Sequence, residues 1–269
     1  MNLGLKGKVA IVTGSGEGIG RKIALILAEE GVNMVVNDVI SEKVEKVVDE
    51  VRAKGVKSIG CVGSVAEVEF ANEMVKKTLA EFGQIDILIN NAGRSVNWEA
   101  GKTPRPFVET TTEDWNYTVD LCLYGVMNCS RAVLPHMIGR KYGKIVNCIS
   151  EAGRVGEPNM AGYSAAKGGI IAWQKAVAKE VGRYNINVNG VSFGAVLTER
   201  ALRTQEAAKA RDPEAFAKQQ MERFRYSIYP LGRPSETEDA ARPVVFLASD
   251  CARQITGQTL SASGGFSMV

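Results

Sequence analysis

Histidine is almost absent from this sequence: His136 is the single one in 269 residues. Any histidine-based catalytic triad would therefore depend on that residue. An HExxH motif and Cys/His clusters are also missing, so nothing in the sequence predicts a bound metal. The GxxxxGK[ST] sequence of phosphate-transfer P-loops does not occur either. Metal-assisted hydrolysis and P-loop chemistry are thus poor candidates for the function.

Charge runs and long apolar runs are lacking too. The net charge is only +3, and no cluster of Lys and Arg suggests a nucleic-acid surface. No stretch approaches 18 uninterrupted apolar residues, so no membrane span is expected. The five cysteines are scattered, odd in number and free of a CxxC pair, and no signal peptide precedes them. We expect a cytoplasmic protein with reduced thiols.

What is present is a regular alternation of short apolar runs and helical patterns. "KVAIVT" (8–13) and "NMVVND" (33–38) are typical of strands, and "SEKVEKVVDEVRAKG" (41–55) has the helical period. The alternation continues to the end of the chain without a linker. Apolar strands between helices indicate a parallel sheet that is covered on both faces. The sequence predicts one doubly wound, Rossmann-type α/β domain over residues 1–269.

Residues 195–233 interrupt this rhythm with a charged, helical pattern that shows no strand. Because open α/β sheets bind ligands beyond the carboxyl ends of their strands, this insertion is predicted to form a helical lid over the substrate. The alternative is a solvated pair of amphipathic helices without a role in binding.

A glycine-rich turn, "VTGSGEGIG", follows the first strand and opens a helix. Such a turn lets backbone N–H groups approach a pyrophosphate. Asp38 ends the second strand, 18 residues after Gly20, close to the spacing expected for the acid that binds an adenosine ribose. Together with Glu17, Asp38 predicts NAD rather than NADP. The alternative for Asp38 is an exposed turn residue at a strand end.

Tyr163 and Lys167 are four residues apart in "YSAAKGG". In a helix, this spacing places the phenol and the ammonium on the same face. The pair is either an ordinary surface contact or a tyrosine placed to exchange a proton.

With these motifs in place, the chain resembles the short-chain dehydrogenase/reductase family, in the branch with a TGxxxGxG turn. The resemblance is carried, in the family's order, by "TGSGEGIG" (13–20), "NNAG" (90–93), Ser150, "YSAAK" (163–167) and "GAVLT" (194–198). It covers essentially the whole chain.

The resemblance implies a role for each matching residue. Tyr163 would be the general acid/base, Lys167 would lower the pKa of the phenol and hold the ribose, and Ser150 would bind the reacting oxygen. The residues expected to bind the cofactor, NAD, are Gly14, Ser15, Glu17, Gly18, Ile19, Gly20, Asp38, Ser64, Val65, Asn91, Ala92, Gly93, Tyr163, Lys167, Val196 and Thr198.

Four residues depart from the family's pattern. Cys122 stands where an asparagine normally supports a proton relay, and cysteine is a weak donor and acceptor. Ser64 and Val65 replace the usual adenine-contacting "DV" pair, and Phe193 replaces a proline. These departures leave two functions to weigh: an NAD-dependent dehydrogenase acting on a secondary alcohol or its ketone, and an NAD-binding regulatory or interaction protein with impaired catalysis.

The substrate stays open at this point, because the candidate pocket residues combine apolar side chains with arginines. The candidate positions are Arg94 and the segment to Phe107, Glu151 to Met160, and the lid from Ala195 to Tyr229; their aromatic and apolar members include Trp98, Met160, Phe216, Phe224 and Tyr226. Both a cyclic or aryl-bearing alcohol and an anionic substrate fit this set. The final strand and the helix before it predict a homotetramer by analogy with the family, with a dimer as the alternative.

Overall fold

A computed structural model describes residues 2–94 and 105–269. Its strands are β1 (Val9–Val12), β2 (Asn33–Asp38), β3 (Ser58–Val62), β4 (Ile87–Asn90), β5 (Gly143–Ser150), β6 (Ile186–Phe193), β7 (Val196–Leu197), β8 (Ser235–Glu236) and β9 (Thr259–Ala262). Its α-helices are α1 (Gly18–Glu29), α2 (Ser41–Arg52), α3 (Val68–Phe82), α4 (Thr112–Val119), α5 (Gly125–Arg140), α6 (Ala152–Val155), α7 (Ala161–Val181), α8 (Glu199–Arg211), α9 (Pro213–Arg223) and α10 (Thr237–Ala248).

Seven strands form one parallel sheet in the order β3-β2-β1-β4-β5-β6-β9. The apolar runs occupy its centre: β1 and β4 are buried along their whole length, and so is β6. Two hydrophobic clusters, one on each face, bury the sheet under helices. This arrangement confirms the predicted doubly wound α/β fold.

The strand order reverses direction between β1 and β4. In an open parallel sheet, the loops that leave such a point diverge to opposite faces and leave a crevice between them. Here those loops are the glycine-rich turn after β1 and the segment Asn91–Gly93 after β4, so the two motifs are brought together at one edge of the sheet.

Two segments differ from the sequence-based expectation. The helical run around Cys122 contains a π-helical turn, Asp120–Tyr124, between α4 and α5. The insertion at 195–233 holds helices α8 and α9 but is not strand-free, because β7 lies at its start and pairs with β8 just beyond it. This short ladder ties the two ends of the insertion together.

No helix in the described part of the chain is both long enough and apolar enough to span a bilayer.

Candidate active site

A cleft of about 1230 Å³ opens at the carboxyl edge of the sheet. Its lining includes residues at, or just after, the ends of five strands: Gly14, Asp38, Asn91, Ser150 and Phe193. Among residues 2–94 and 105–269, no cluster of three or more His, Cys, Asp or Glu side chains could hold a metal ion.

The glycines of the turn after β1 are required by contacts within the protein itself. A Cβ on Gly14, whose φ is +59°, would lie 2.7 Å from the Cα of Ala92. A Cβ on Gly20 would lie 2.4 Å from Nδ2 of Asn91, which donates hydrogen bonds to the carbonyls of Thr13 and Gly14. The turn and the loop after β4 are therefore locked together.

Two residues predicted to bind the cofactor lie behind this turn instead of lining the cleft. Ser15 is fully buried; its hydroxyl donates to the carbonyl of Val12 at 2.7 Å and accepts from the Asn37 N–H at 3.2 Å. Gly20 packs against Asn91 as described above. Both residues shape the turn, while Gly14, Glu17, Gly18 and Ile19 line the cleft; their contacts with a cofactor stay a prediction.

The first turn of α1 offers N–H groups to the cleft. Gly18 donates to Oε2 of Glu199 at 2.9 Å, and the same carboxylate lies 3.6 Å from the guanidinium of Arg21. The N–H of Ile19 has no acceptor among the described residues. Because exposed N–H groups and the helix dipole attract anions, this end of α1 fits a dinucleotide pyrophosphate.

Asp38 lies at the end of β2 and is held by the backbone. One carboxylate oxygen accepts from the Gly16 N–H at 3.1 Å, and the other accepts from Val39 and Ile40. Val39 and Ile40 also line the cleft, with 63% and 39% of their surfaces exposed. These two residues were not predicted from the sequence as part of the site. Their position, apolar and directly after the acid, would let them pack against an adenine ring.

The acidic charge expected from Glu17 is offset. Its carboxylate lies 2.8 Å from the ammonium of Lys43 and 3.3 Å from the guanidinium of Arg203. Burial opposes ionisation, but these two cations outweigh it and hold the pKa of Glu17 below its usual value. This result corrects the argument that Glu17 adds negative charge at the adenosine end. Asp38 is therefore the acid expected to distinguish NAD from NADP.

Ser64 and Val65 form a wall of the cleft after β3. The Ser64 hydroxyl accepts from the Ala66 N–H at 3.3 Å, and the buried Val65 packs so closely on α5 that a Cβ on Gly125 would lie 2.8 Å from its methyl group. The side chain of Asn128 donates to the carbonyl of Val65 and fixes this wall to α5.

Ser150, Tyr163 and Lys167 meet in the same cleft. Ser150 is the last residue of β5, and its hydroxyl is hydrogen-bonded to the phenol of Tyr163. Tyr163 and Lys167 lie in the first two turns of α7, with 7% and 3% of their surfaces exposed. The Lys167 ammonium donates to the carbonyl of Cys148 at 2.8 Å and lies 5.7 Å from the centre of the Tyr163 ring.

The structure does not show the lowered phenol pKa that the sequence predicts. Burial raises the pKa of Tyr163 above its usual value, and the neighbouring Cys122 adds to this, while the Ser150 hydrogen bond acts in the opposite direction. The Lys167 ammonium, which donates to the carbonyl of Cys148, is not among the causes of this shift. Tyr163 is therefore held as a protonated donor in this state.

Cys122 lies at the centre of the π-helical turn and is fully buried. Its thiol donates to the carbonyl of Arg94 at 3.5 Å. A Cβ on Gly93 would lie 3.2 Å from both the Cys122 sulfur and the Lys167 nitrogen. Because burial raises the pKa of Cys122, a neutral thiol stands next to Lys167.

The opposite wall of the cleft begins with Val196 and Thr198. Both line it, and the Thr198 hydroxyl also accepts from the Ala201 N–H at 3.2 Å, which caps the start of α8. The capping bond therefore orients the side chain that the sequence assigns to the cofactor.

The substrate end is lined by aromatic and apolar side chains, and the structure changes the predicted set. Lining residues include Arg94, Met160, Phe224, Tyr229 and Phe266. Two predicted residues, Phe216 and Tyr226, are not part of the lining, and Trp98 lies outside the described residues. Tyr229 ends the predicted lid segment, whereas Phe266 lies outside every predicted segment and comes close to the site only through the fold.

The sheet order and the cleft at its carboxyl edge define a Rossmann-type α/β protein. A family profile described as short chain dehydrogenase matches residues 8–209. The 3-oxoacyl-[acyl-carrier-protein] reductase FabG of Staphylococcus epidermidis is 38% identical over 262 residues, which are 97% of this chain and 99% of that protein. The (2S)-[(R)-hydroxy(phenyl)methyl]succinyl-CoA dehydrogenase subunit BbsD of Thauera aromatica is 36% identical over 266 residues, 99% of each chain. The crystal structure of levodione reductase superposes with a TM-score of 0.86 at 31% identity and covers 97% of each chain.

The chain belongs to the short-chain dehydrogenase family and is an oxidoreductase. The resemblance predicted from its motifs is thereby confirmed.

Proposed function

We propose that this protein transfers a hydride between NAD and a secondary alcohol or its ketone. The observation that supports this proposal most strongly is that Ser150, Tyr163 and Lys167 share one cleft with Asp38 and the start of α1. The named relatives are reductases and a dehydrogenase, which agrees with this reaction class.

Each of the three residues has a defined task in the proposed reaction. In ketone reduction, the buried Tyr163 donates its proton to the carbonyl oxygen; in alcohol oxidation, its phenolate takes that proton back. Ser150 donates a hydrogen bond to the same oxygen as negative charge develops there. Lys167 holds the site in place through the carbonyl of Cys148 and is assigned to the nicotinamide ribose. The bound nicotinamide supplies or accepts the hydride.

NAD is proposed over NADP because of Asp38. Its carboxylate is fixed by three backbone N–H groups and faces the cleft, where it would accept hydrogen bonds from a ribose diol. A 2′-phosphate placed beside it is repelled by at least about 1.4 kcal/mol, which is a factor of ten. The nearby cations Lys43 and Arg203 already pair with Glu17 and do not remove this repulsion.

Cys122 is the observation that favours a second candidate function, a cofactor-binding regulatory or interaction protein with impaired catalysis. A buried, neutral thiol is a poor substitute for an asparagine side chain in a proton relay. In that case the protein binds NAD⁺ without turning over any alcohol.

The test compares NAD⁺ binding with NAD⁺ reduction over a panel of secondary alcohols, for the wild type and for Tyr163→Phe. We expect kcat to fall by about 10²–10⁴-fold in the variant, since general acid–base catalysis is removed while ring packing is kept. The affinity for NAD⁺ should change less than twofold, and NADP⁺ should be used at least about tenfold less well.

Tyr124→Phe, at a half-exposed tyrosine outside the cleft lining, is the control. The wild-type rate of oxidation should rise with pH, because the base is a phenolate, and this limb should vanish in Tyr163→Phe. A variant that keeps more than a tenth of the wild-type turnover would exclude Tyr163 as the base.

We also propose that the protein is a cytoplasmic homotetramer. All five cysteines are free thiols, as suits a reducing compartment. At the edge of the sheet, β9 pairs with β6 on one side and, among residues 2–94 and 105–269, with no strand on the other; the apolar residues Leu260, Met268 and Val269 are exposed nearby. Light scattering at micromolar concentration tests the assembly, and a monomer would contradict it.

A further inference from the structure

Tyr229 is held rigidly at the substrate end of the cleft. Only 5% of its surface is exposed. Its ring centre lies 4.9 Å from that of Phe266, nearly parallel to it, and 5.1 Å from that of Phe224 at a tilt of 58°. Two aromatic contacts of this kind restrict the ring to one orientation, so the hydroxyl has a fixed position.

The hydroxyl of Tyr229 accepts a hydrogen bond but donates none among the described residues. Its oxygen accepts a hydrogen bond from the Ala195 N–H at 3.1 Å. A phenol also carries one proton to donate, and within residues 2–94 and 105–269 no group accepts it. Burial is the largest cause of a raised pKa at Tyr229, which keeps that proton in place across the working pH range. Since buried donors are nearly always paired, this one is directed at something the cleft admits.

The backbone at Ala195, whose N–H donates to this hydroxyl, is held on both sides. The carbonyl of Ala195 accepts from the Ser235 N–H at 2.9 Å, while its N–H donates to Tyr229. A Cβ on Gly194 would lie 3.1 Å from the Tyr229 oxygen, so the backbone passes directly beside the phenol. The Ala195 bond therefore holds the Tyr229 oxygen in place at the wall of the cleft.

Tyr229 faces the reacting centre. It lines the same cleft as Ser150 and Tyr163. Its hydroxyl binds the Ala195 N–H, two residues after Phe193, and Phe193 pairs with Ser150 across strands β6 and β5. A substrate whose carbonyl oxygen lies at Ser150 and Tyr163 can therefore reach the Tyr229 hydroxyl.

We propose that Tyr229 is a specificity-determining residue, whose hydroxyl donates a hydrogen bond to a second carbonyl oxygen of the substrate. The preferred substrates are then small oxo esters or similar dicarbonyl compounds rather than simple ketones. This inference rests on the proposed function, because it assigns a second contact to the ketone that Tyr163 reduces.

The test uses ketones matched in chain length that differ in the second carbonyl. Ethyl 3-oxobutanoate is paired with 2-heptanone, and ethyl 4-oxopentanoate with 2-octanone. In Tyr229→Phe, kcat/KM should fall about fivefold to tenfold for at least one oxo ester, as expected for the loss of one neutral hydrogen bond, while both simple ketones stay within twofold. Tyr226→Phe, which is largely exposed and outside the cleft, should change none of the four values.

Because the readout is a ratio of two substrates in one preparation, a smaller folded fraction of the variant cancels. An equal fall for all four ketones, or no fall for any, would overturn the assignment of Tyr229 and leave the proposed function standing. If the wild type reduces none of the four and oxidises no alcohol in the panel, the proposed function itself fails, and this inference fails with it.

Discussion

Helix α7 and the insertion helices α8 and α9 form two walls of the same cleft and differ sharply in how they are held. Along α7, one face is buried throughout, at Tyr163, Ala166, Lys167, Ile170, Gln174, Ala178 and Val181. Neither α8 nor α9 has a buried residue. The catalytic side chains proposed on α7 thus belong to the hydrophobic core, whereas α8 and α9 are attached mainly by polar contacts.

These polar contacts connect the insertion to the glycine-rich turn. Glu199 accepts from the Gly18 N–H, and Arg203 pairs with Glu17. The contrast suggests a division of tasks: groups that exchange protons need fixed positions, which burial provides, while a cover over the cofactor must open and close. We propose that α8 and α9 are this cover, as the sequence pattern predicts.

The largest effect expected from this comparison is on stability. Ile170→Ala removes a fully buried side chain from α7 and should lower the free energy of unfolding by about 2–5 kcal/mol. Leu202→Ala, on α8, removes a side chain that is 43% exposed and should change it by less than about 0.5 kcal/mol. Urea unfolding at one fixed protein concentration measures both. Equal losses would mean that the insertion is packed as firmly as α7.

The sequence predicts best what depends on local pattern. The β-branched runs give the sheet, and the spacing of Tyr163 and Lys167 places both on one face of α7. The π-helical turn at Cys122 was not predicted, because it is a single-turn change of hydrogen bonding inside a helical run.

The contacts of Lys43 and Tyr229 escape prediction for another reason. Lys43 acts on Glu17, which lies in the turn after a different strand, and Tyr229 acts on Ala195, 34 residues away. Neither partner is visible from the spacing of residues, because only the fold brings the partners together.

A smaller effect is expected where the insertion meets the cofactor site. The carboxylate of Glu199 sits at the start of α1, where it accepts from the Gly18 N–H and lies near Arg21. A pyrophosphate bound to the same helix end brings a second negative charge close to it. Glu199→Gln keeps an oxygen that accepts from Gly18 but removes the charge, so NAD⁺ should bind about threefold to tenfold more tightly.

The matched control is Glu206→Gln. Glu206 is an exposed residue of α8 that has no hydrogen-bond or ion-pair partner among the described residues. The NAD⁺ affinity of this variant should equal that of the wild type. Titration calorimetry at two salt concentrations measures the effect, and the gain at Glu199 should shrink at high salt, because screening weakens the repulsion between partly exposed charges. A weaker affinity in Glu199→Gln would show instead that the ionised Glu199 carboxylate stabilises the closed position of α8 and α9 more than it repels the pyrophosphate. Helix α8 would then be a part of the cofactor site that raises NAD⁺ affinity, just as the buried face of α7 supports the proposed chemistry.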